Sequence, residues 1–304
     1  MQAPALIGLD WGTSSCRAWL MAATGDVLAR NDTCPGILAV PGGDFDAAFE
    51  ALVGPWLAVH PDLPVLASGM ITSRNGWVET PYLPLPVTVQ DLAQSLTPHR
   101  TAQGRLIHFI TGIATGLDRL PDVMRGEETE LVGHIVGNAS GSGVFVMPGT
   151  HSKWARADDG AIQGFETFMT GEFYAILHQH SILGRLAVDG AYSPEAFLSG
   201  VRASAAQEGS LLSRAFSART LTLFNRLAAD QIGDYLSGIL IGEEIAAGLA
   251  AHPPGAQITI IGRGDLAERY RIALHGHGCV ALSTPPGLAR RGHVEIARQA
   301  GMLA

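Results

Sequence analysis

One pattern occurs twice in this chain, about half its length apart. The apolar run Ala5–Asp10 leads into Gly12-Thr13, a short polar run, Trp19 and a hairpin turn at Thr24-Gly25-Asp26. The run Gly143–Met147 leads into Gly149-Thr150, a short polar run, Trp154 and a hairpin turn at Asp158-Asp159-Gly160. Short apolar runs bounded by Gly-rich turns read as buried strands. A long-period repeat of such units means that one supersecondary unit has been used twice. The chain is therefore expected to form two α/β lobes, each opening on a β-hairpin. Its 304 residues also exceed the size at which a single core stops growing. The expected division is residues 1–138 and 139–304, within the Gly/Ser-rich stretch Asn138–Gly143.

Between these landmarks the periodicity predicts helices at Phe45–Val59, Glu127–Val136, Gly171–Gln179, Pro194–Ala206, Leu266–Gly276 and Val294–Gly301. A longer helical stretch with breaks is expected over Ser213–Ala251. Further strands are expected at Cys16–Ala22, Val65–Ser68, Leu106–Thr111, Trp154–Ala157 and Gln257–Ile261. Strands mixed with helices throughout make this an α/β chain.

Composition removes several function classes. Hydrophobic residues are 47% and charged residues 16%, which supplies a core and argues against disorder. A net charge of −8 without a basic face argues against nucleic acid as a partner. The three cysteines, Cys16, Cys34 and Cys279, are too far apart for a zinc cluster and suit a reducing compartment. The 11 histidines are scattered without metal-ligand spacing. The longest apolar candidate, near Ile239–Ala251, is interrupted by Glu243 and Glu244, so no membrane span is expected and a cytoplasmic protein is. An acidic chain of this kind binds anions through local donors.

Such donors recur at three turns. Asp10 ends a strand before Gly12-Thr13-Ser14-Ser15. Glycine lets backbone N–H groups approach a phosphate, and the hydroxyls add donors. A carboxylate beside phosphates implies a cation between them, and Mg²⁺ takes one or two carboxylates with phosphate oxygens. Asp10 is thus the metal candidate; the plainer reading is an Asx turn in a hairpin. Gly149-Thr150-His151-Ser152-Lys153 repeats the chemistry and adds a cation, so two loops could cradle one triphosphate, with Lys153 or Arg17 supplying charge. Gly262 and Gly264-Asp265 follow the strand ending at Ile261 and could border an adenosine, although a close-packed strand-to-helix turn explains them equally. No P-loop run and no Gly-x-Ser-x-Gly elbow is present.

Two further stretches bear on an acceptor. Glu127, Glu128 and Glu130 open a helix, where acids offset the dipole; any of them could accept a hydroxyl proton. Ser68–Tyr82 is a long polar connection in which Arg74 could pair with a substrate carboxylate, with Ser68 and Ser73 as further substrate-binding candidates. Trp77 and Tyr82 could stack on its carbon skeleton, or serve as structural aromatics in a surface loop.

These strings carry a resemblance. Leu6–Trp19 resembles the first phosphate motif of the sugar kinase/heat-shock/actin superfamily. Met147-Pro-Gly-Thr-His-Ser-Lys-Trp154, Thr167-Phe-Met-Thr-Gly-Glu172 and Gln179-His-Ser-Ile-Leu-Gly184 are more specifically similar to the 2-dehydro-3-deoxygalactonokinase family. So are Gly69–Ser73, Gly76-Trp77, Pro81-Tyr82, Arg125–Thr129 and Gly242–Glu244. The resemblance implies a two-lobed actin-like ATPase (ribonuclease H-like) fold with its hairpin-bearing lobes around an ATP cleft. It implies MgATP-dependent phosphorylation of the C6 hydroxyl of 2-dehydro-3-deoxy-D-galactonate, with the sugar acid on the N-terminal lobe and nucleotide on the C-terminal one. The acid opening the mid-chain helix would be the base. Glu128-Thr129 stands where hexokinase-like kinases carry Asp-Thr, so Glu128 is the first candidate and Glu127 the second. Other expectations are a homodimer, a kinase of a related acid such as 2-dehydro-3-deoxygluconate, a non-catalytic actin-like ATP-binding protein, and an α/β interaction module that would leave the duplicated loops without a role.

Overall fold

The computed structural model describes residues 2–118, 120–138, 141–205, 209–252, 255–262 and 264–303. The chain divides into two compact units: Met1–Ser142 with Arg156–Gly164 and Gly287–Ala304, and Gly143–Ala155 with Phe165–Pro286.

In the first unit the chain forms β1 (Pro4–Trp11), β2 (Cys16–Ala22), β3 (Val27–Asn31), α1 (Phe45–Val59), β4 (Val65–Ser68), β5 (Tyr82–Pro84) and α2 (Val89–Gln94). Then come β6 (Thr97–Arg100), β7 (Leu106–Phe109), β8 (Gly112–Thr115), β9 (Asp122–Met124) and α3 (Glu127–Ile135). The main sheet runs β3-β2-β1-β4-β7-β6, with β5-β8-β9 as a small second sheet. β1 pairs antiparallel with β2 and parallel with β4, so Asp10 lies beside Ser68 at the carboxyl ends of two central strands. Strands covered on both faces read as continuous apolar runs, which is why β1 and β4 were legible. Ile7, Leu9 and Trp11 face a core shared with Phe49, Leu52, Val53 and Leu57 of α1.

In the second unit the chain forms β10 (Gly143–Met147), β11 (Ser152–Asp158) and β12 (Ala161–Phe168), the last two apart from their hairpin end Arg156–Gly164, and then α4 (Thr170–His180), α5 (Pro194–Ala205), α6 (Leu211–Ala215) and α7 (Ser217–Leu223). α8 (Ile232–Ala250), β13 (Ile258–Ile260), α9 (Gly264–Gly276) and β14 (Ala281–Ser283) complete it. Its sheet runs β12-β11-β10-β13-β14, with β10, β13 and β14 parallel. That order repeats β3-β2-β1-β4-β7 of the first unit, so the duplication read in the sequence is a duplication of sheet topology. α5 and α8 cross closely because Gly200 and Gly238 carry no side chain: a Cβ on either would lie 2.1 or 2.0 Å from a carbonyl oxygen of the other helix. Among the described residues no helix is long and apolar enough to cross a membrane.

α10 (Leu288–Gln299) belongs to the first unit. It starts six residues before the expected Val294, straight after Pro285-Pro286-Gly287, where Gly287 adopts a left-handed conformation. Its buried face includes Ala289, Gly292 and Ala297, small residues that give a weak hydrophobic signal. Two other expectations are corrected. Leu106–Thr111 is not one strand but β7 and the chain entering β8, and Ser213–Ala251 resolves into α6, α7 and α8. The polar stretch before Pro86 also hides β5, a strand too short for any periodicity.

α10 packs on α3 through glycine on both sides. A Cβ at Gly292 would lie 2.0 Å from the Thr129 carbonyl oxygen, and one at Gly133 equally near that of Leu288. Gly292→Ala is therefore expected to force the helices apart and cost about 1–3 kcal/mol, the usual penalty of overpacking. Urea unfolding checks this as a lower midpoint with an unchanged slope.

Candidate active site

Each unit carries one cluster of the residues singled out by sequence. In the first, the turn between β1 and β2 is braced by the segment that follows β3. Gly12 N–H donates to the Ser15 carbonyl at 2.9 Å, and Ile37 N–H to the Gly12 carbonyl at 3.1 Å. Trp11 Nε1 donates to the Pro35 carbonyl at 3.0 Å. Gly36 must be glycine, since a Cβ there would lie 2.2 Å from the Thr13 oxygen. The loop is thereby held with Thr13, Ser14 and Ser15 exposed. Arg17 pairs with Asp10 at 3.2 Å across the hairpin register. The candidate metal carboxylate and one candidate phosphate cation thus neutralise each other here.

Glu128 lies on the same edge of the sheet. Its carboxylate is fully buried, with Oε2 accepting from Gly126 N–H at 2.6 Å and Oε1 from the Thr129 hydroxyl at 3.0 Å. Gly126 has φ 112° and packs on Gly69, which follows the last residue of β4. Burial, and secondarily the charge of Glu127, pushes Glu128 up to about 8. Glu127 instead accepts from the Arg125 N–H at 3.0 Å. A base tuned toward neutrality by burial is the pattern expected of a proton acceptor.

The Ser68–Tyr82 residues divide. Ser73 is buried, its hydroxyl turned to the Met70 carbonyl at 2.7 Å, while Arg74 is exposed. Tyr82 is exposed beneath the guanidinium of Arg125. Ser68 bonds His293 of α10 at 3.1 Å; burial drops that histidine to about 4, so it is neutral. Trp77 stacks against Phe45 and packs on Phe49, His99 and Phe109, which places its ring in the core around α1.

In the second unit a cavity of about 600 Å³ brings Gly149 and Thr150 together with Asp265. The other walls come from α4, α8 and α9. Ligand pockets run to about 300–1,000 Å³, so this one has the size of a small-molecule site. Gly171 explains part of the Phe-Met-Thr-Gly-Glu string: a Cβ there would strike the Gly149 oxygen at 2.5 Å. Glu172 N–H donates to the Thr150 carbonyl at 3.0 Å, and its carboxylate pairs with His151. Gly262 lies against Pro148, and Gly264 opens α9.

Ser152 has another task. Its hydroxyl donates to Glu244 at 2.6 Å, as do Tyr270 at 2.6 Å, Trp154 Nε1 at 2.9 Å and the Thr170 hydroxyl. Burial raises Glu244 against the effect of these four donors, and it raises Tyr270 well above the usual phenol range. Along β11 side chains alternate between faces, so Lys153 points away from Glu244. It is 5% exposed and forms no ion pair among the described residues. The 20 basic residues comprise 19 arginines and this one lysine, a signal the sequence contained. Arg269 was missed: it lines the cavity, pairs with Asp234 at 3.0 Å and stacks 4.3 Å over Tyr192, and both it and Asp234 lie on helices without any local motif.

The comparisons fall on this geometry. A family model described as 2-keto-3-deoxy-galactonokinase matches residues 10–296. The chain belongs to that family. It is 34% identical over 273 residues to the probable 2-dehydro-3-deoxygalactonokinase DgoK1 of Rhizobium meliloti strain 1021, covering 89% of each chain. It is 32% identical over 275 residues to the 2-dehydro-3-deoxygalactonokinase of Escherichia coli K12, covering 90% of each. A crystal structure of a Sinorhizobium meliloti protein assigned as a 2-dehydro-3-deoxygalactonokinase superposes with a TM-score of 0.86 at 34% identity, over 96% of this chain and 98% of that one. The activator of the 2-hydroxyisocaproyl-CoA dehydratase from Clostridium difficile shares the fold alone, with a TM-score of 0.50 at 12% identity over 98% and 95% of the chains. Membership in the 2-keto-3-deoxy-galactonokinase family makes this chain a sugar-acid kinase of the actin-like ATPase fold.

Two outcomes follow for the kinase. Lys153→Met keeps the apolar stem and removes the charge. On the reading that Lys153 meets a phosphate, and because hydrogen bonds to charged groups contribute about 1.5–3 kcal/mol, ATP affinity measured by calorimetry should fall about 10- to 100-fold with the fold retained. Glu128 has its folded value raised from an ordinary 4.5 to about 8, so wild-type stability is lost as pH rises through that window. Relative to wild type, the melting temperature of Glu128→Gln should therefore climb from pH 4.5 to 8 and level off above.

Proposed function

We propose that the enzyme transfers the γ-phosphoryl group of ATP to the C6 hydroxyl of 2-dehydro-3-deoxy-D-galactonate. The relatives named for that activity supply the substrate. The observation that carries the chemistry is Glu128, a buried carboxylate of raised proton affinity beside the strand ends that hold Asp10 and Ser68. In the transfer, the C6 oxygen bonds to the γ-phosphorus, the bond from that phosphorus to the β,γ-bridging oxygen breaks, and ADP leaves. Glu128 takes the hydroxyl proton.

The nucleotide's base and sugar would occupy the cavity walled by α8 and α9, with Gly149, Thr150 and Lys153 directed to its phosphates. Within the first unit, Gly12–Ser15 and Arg17 are the candidate phosphate donors, and Arg17 would exchange Asp10 for phosphate oxygens. Among the described residues no group of three or more His, Cys, Asp and Glu could hold a metal by itself. Mg²⁺ keeps waters and takes one or two carboxylates with phosphates; Asp10 would hold it, and the ion would neutralise phosphate charge. The sugar acid would lie against Ser68–Tyr82, with Arg74 as the exposed cation for its carboxylate. Cytoplasmic catabolism and a homodimer complete the reading; light scattering tests the latter.

A coupled assay of ADP release across a panel of sugar acids tests the assignment. Stimulation by 2-dehydro-3-deoxygalactonate above the gluconate epimer is expected, and silence with every 2-keto-3-deoxy acid would refute it. Glu128→Gln should lower kcat about 10²–10⁴-fold, the contribution of general-base catalysis, while ATP still binds. Because the base must be unprotonated, kcat/KM for the acid should rise with pH and level off above about 8.

A further inference from the structure

Arg125 directly follows β9, one residue before the glycine that holds Glu128, and its side chain is 7% exposed. Its guanidinium is turned back into the candidate sugar-acid loop. Nη1 donates to the Thr72 carbonyl at 2.5 Å, to the Thr72 hydroxyl at 2.6 Å and to the Thr80 hydroxyl at 2.5 Å. Nη2 donates to the Thr80 carbonyl at 3.0 Å. The plane lies 4.2 Å over the Tyr82 ring. No carboxylate lies within ion-pair distance of it among the described residues.

A buried guanidinium without a carboxylate is a costly group. Neutral hydroxyls, of which Thr111 supplies one at 3.3 Å from Thr80, could tie down the same carbonyls. A rigid planar fork does something a hydroxyl cannot: it spans two carbonyls at once and fixes their separation. Thr72 and Thr80 are the two ends of the segment carrying Ser73, Arg74 and Asn75. The backbone on the other side of Arg125 leads at once into Gly126, which meets Gly69 and donates to Glu128. One side chain therefore joins the loop to the base.

We propose that Arg125 is a positioning residue for phosphoryl transfer: it sets the loop Thr72–Thr80 in register with Glu128, and its uncompensated charge biases that loop toward an anionic acceptor. The proposal rests on the reading that this loop receives the sugar acid. A small misplacement of either partner is enough to lower turnover.

The test begins with wild-type enzyme on the acceptor panel, which decides the reading by itself. Kinetics of Arg125→Lys and Arg125→Gln then use whichever acceptor wild type turns over best. The expected result is a rise of about 10-fold or more in KM for the acceptor, a fall in kcat and a displaced pH profile of kcat/KM, with ATP affinity by calorimetry unchanged. The lysine variant should recover part of KM but not kcat, because one ammonium does not span both carbonyls. Thr80→Val, which deletes one acceptor at constant size, gives a smaller change of the same kind and replaces the glutamine variant if that fails to fold. A lower melting temperature with KM, kcat and pH profile at wild-type values would reduce Arg125 to a structural tie. So would equal acceptor preference for acids and neutral sugars in wild type and variants.

Discussion

The parallel pairing of two central strands in each unit fixes where chemistry can occur. Parallel strands end together, and the chain must leave them in the same direction. At β1 and β4 this sets Asp10 beside Ser68, and the Gly12 and Gly69 turns depart from one edge. At β10 and β13 it sets the Pro148–Thr150 turn beside the turn at Gly262. Ligands of open α/β sheets gather outside the carboxyl ends of the strands, and the candidate residues of this kinase follow that rule in both units. The helices behind them are brought close by glycine, α3 to α10 through Gly133 and Gly292 and α5 to α8 through Gly200 and Gly238.

The sequence revealed most where an element is apolar through and through. β1, β4, β10 and α1 are covered on both faces or carry a wide apolar stripe, and Phe45–Val59 and Val65–Ser68 were placed to the residue. β5, β8 and β9 were not, because the three- and four-residue strands of the small second sheet have no periodicity to read and, unlike β4, no fully apolar run to mark them. The start of α10 was hidden by alanine and glycine, whose burial is driven by close approach and not by hydrophobicity.

The site was legible in its turns and opaque in its helices. Gly149, Thr150 and Asp265 carry turn chemistry, and they meet in one cavity. Arg269 and Ser237 occupy ordinary helical positions, and only the packing of α8 on α9 makes them lining. Trp77 shows the opposite failure: an aromatic in a polar loop reads as a ligand platform until its ring is found among Phe45, Phe49 and Phe109. Glu244, which the sequence showed as a break in an apolar stretch and part of a family string, accepts from four donors behind the second loop. Its four donors lie in three separate stretches of sequence, which no local pattern connects.

That carboxylate has a consequence for how the protein can change over generations. Ser152, Trp154, Thr170 and Tyr270 all direct a hydrogen to two oxygens of one side chain. Loss of one donor leaves the buried carboxyl group less solvated and makes each remaining bond count for more, so substitutions among these positions are strongly non-additive. Drift at any of them meets a barrier that only a joint exchange lowers. The Pro-Gly-Thr-His-Ser-Lys-Trp and Phe-Met-Thr-Gly-Glu strings are then two ends of one epistatic unit, tied through a residue near neither.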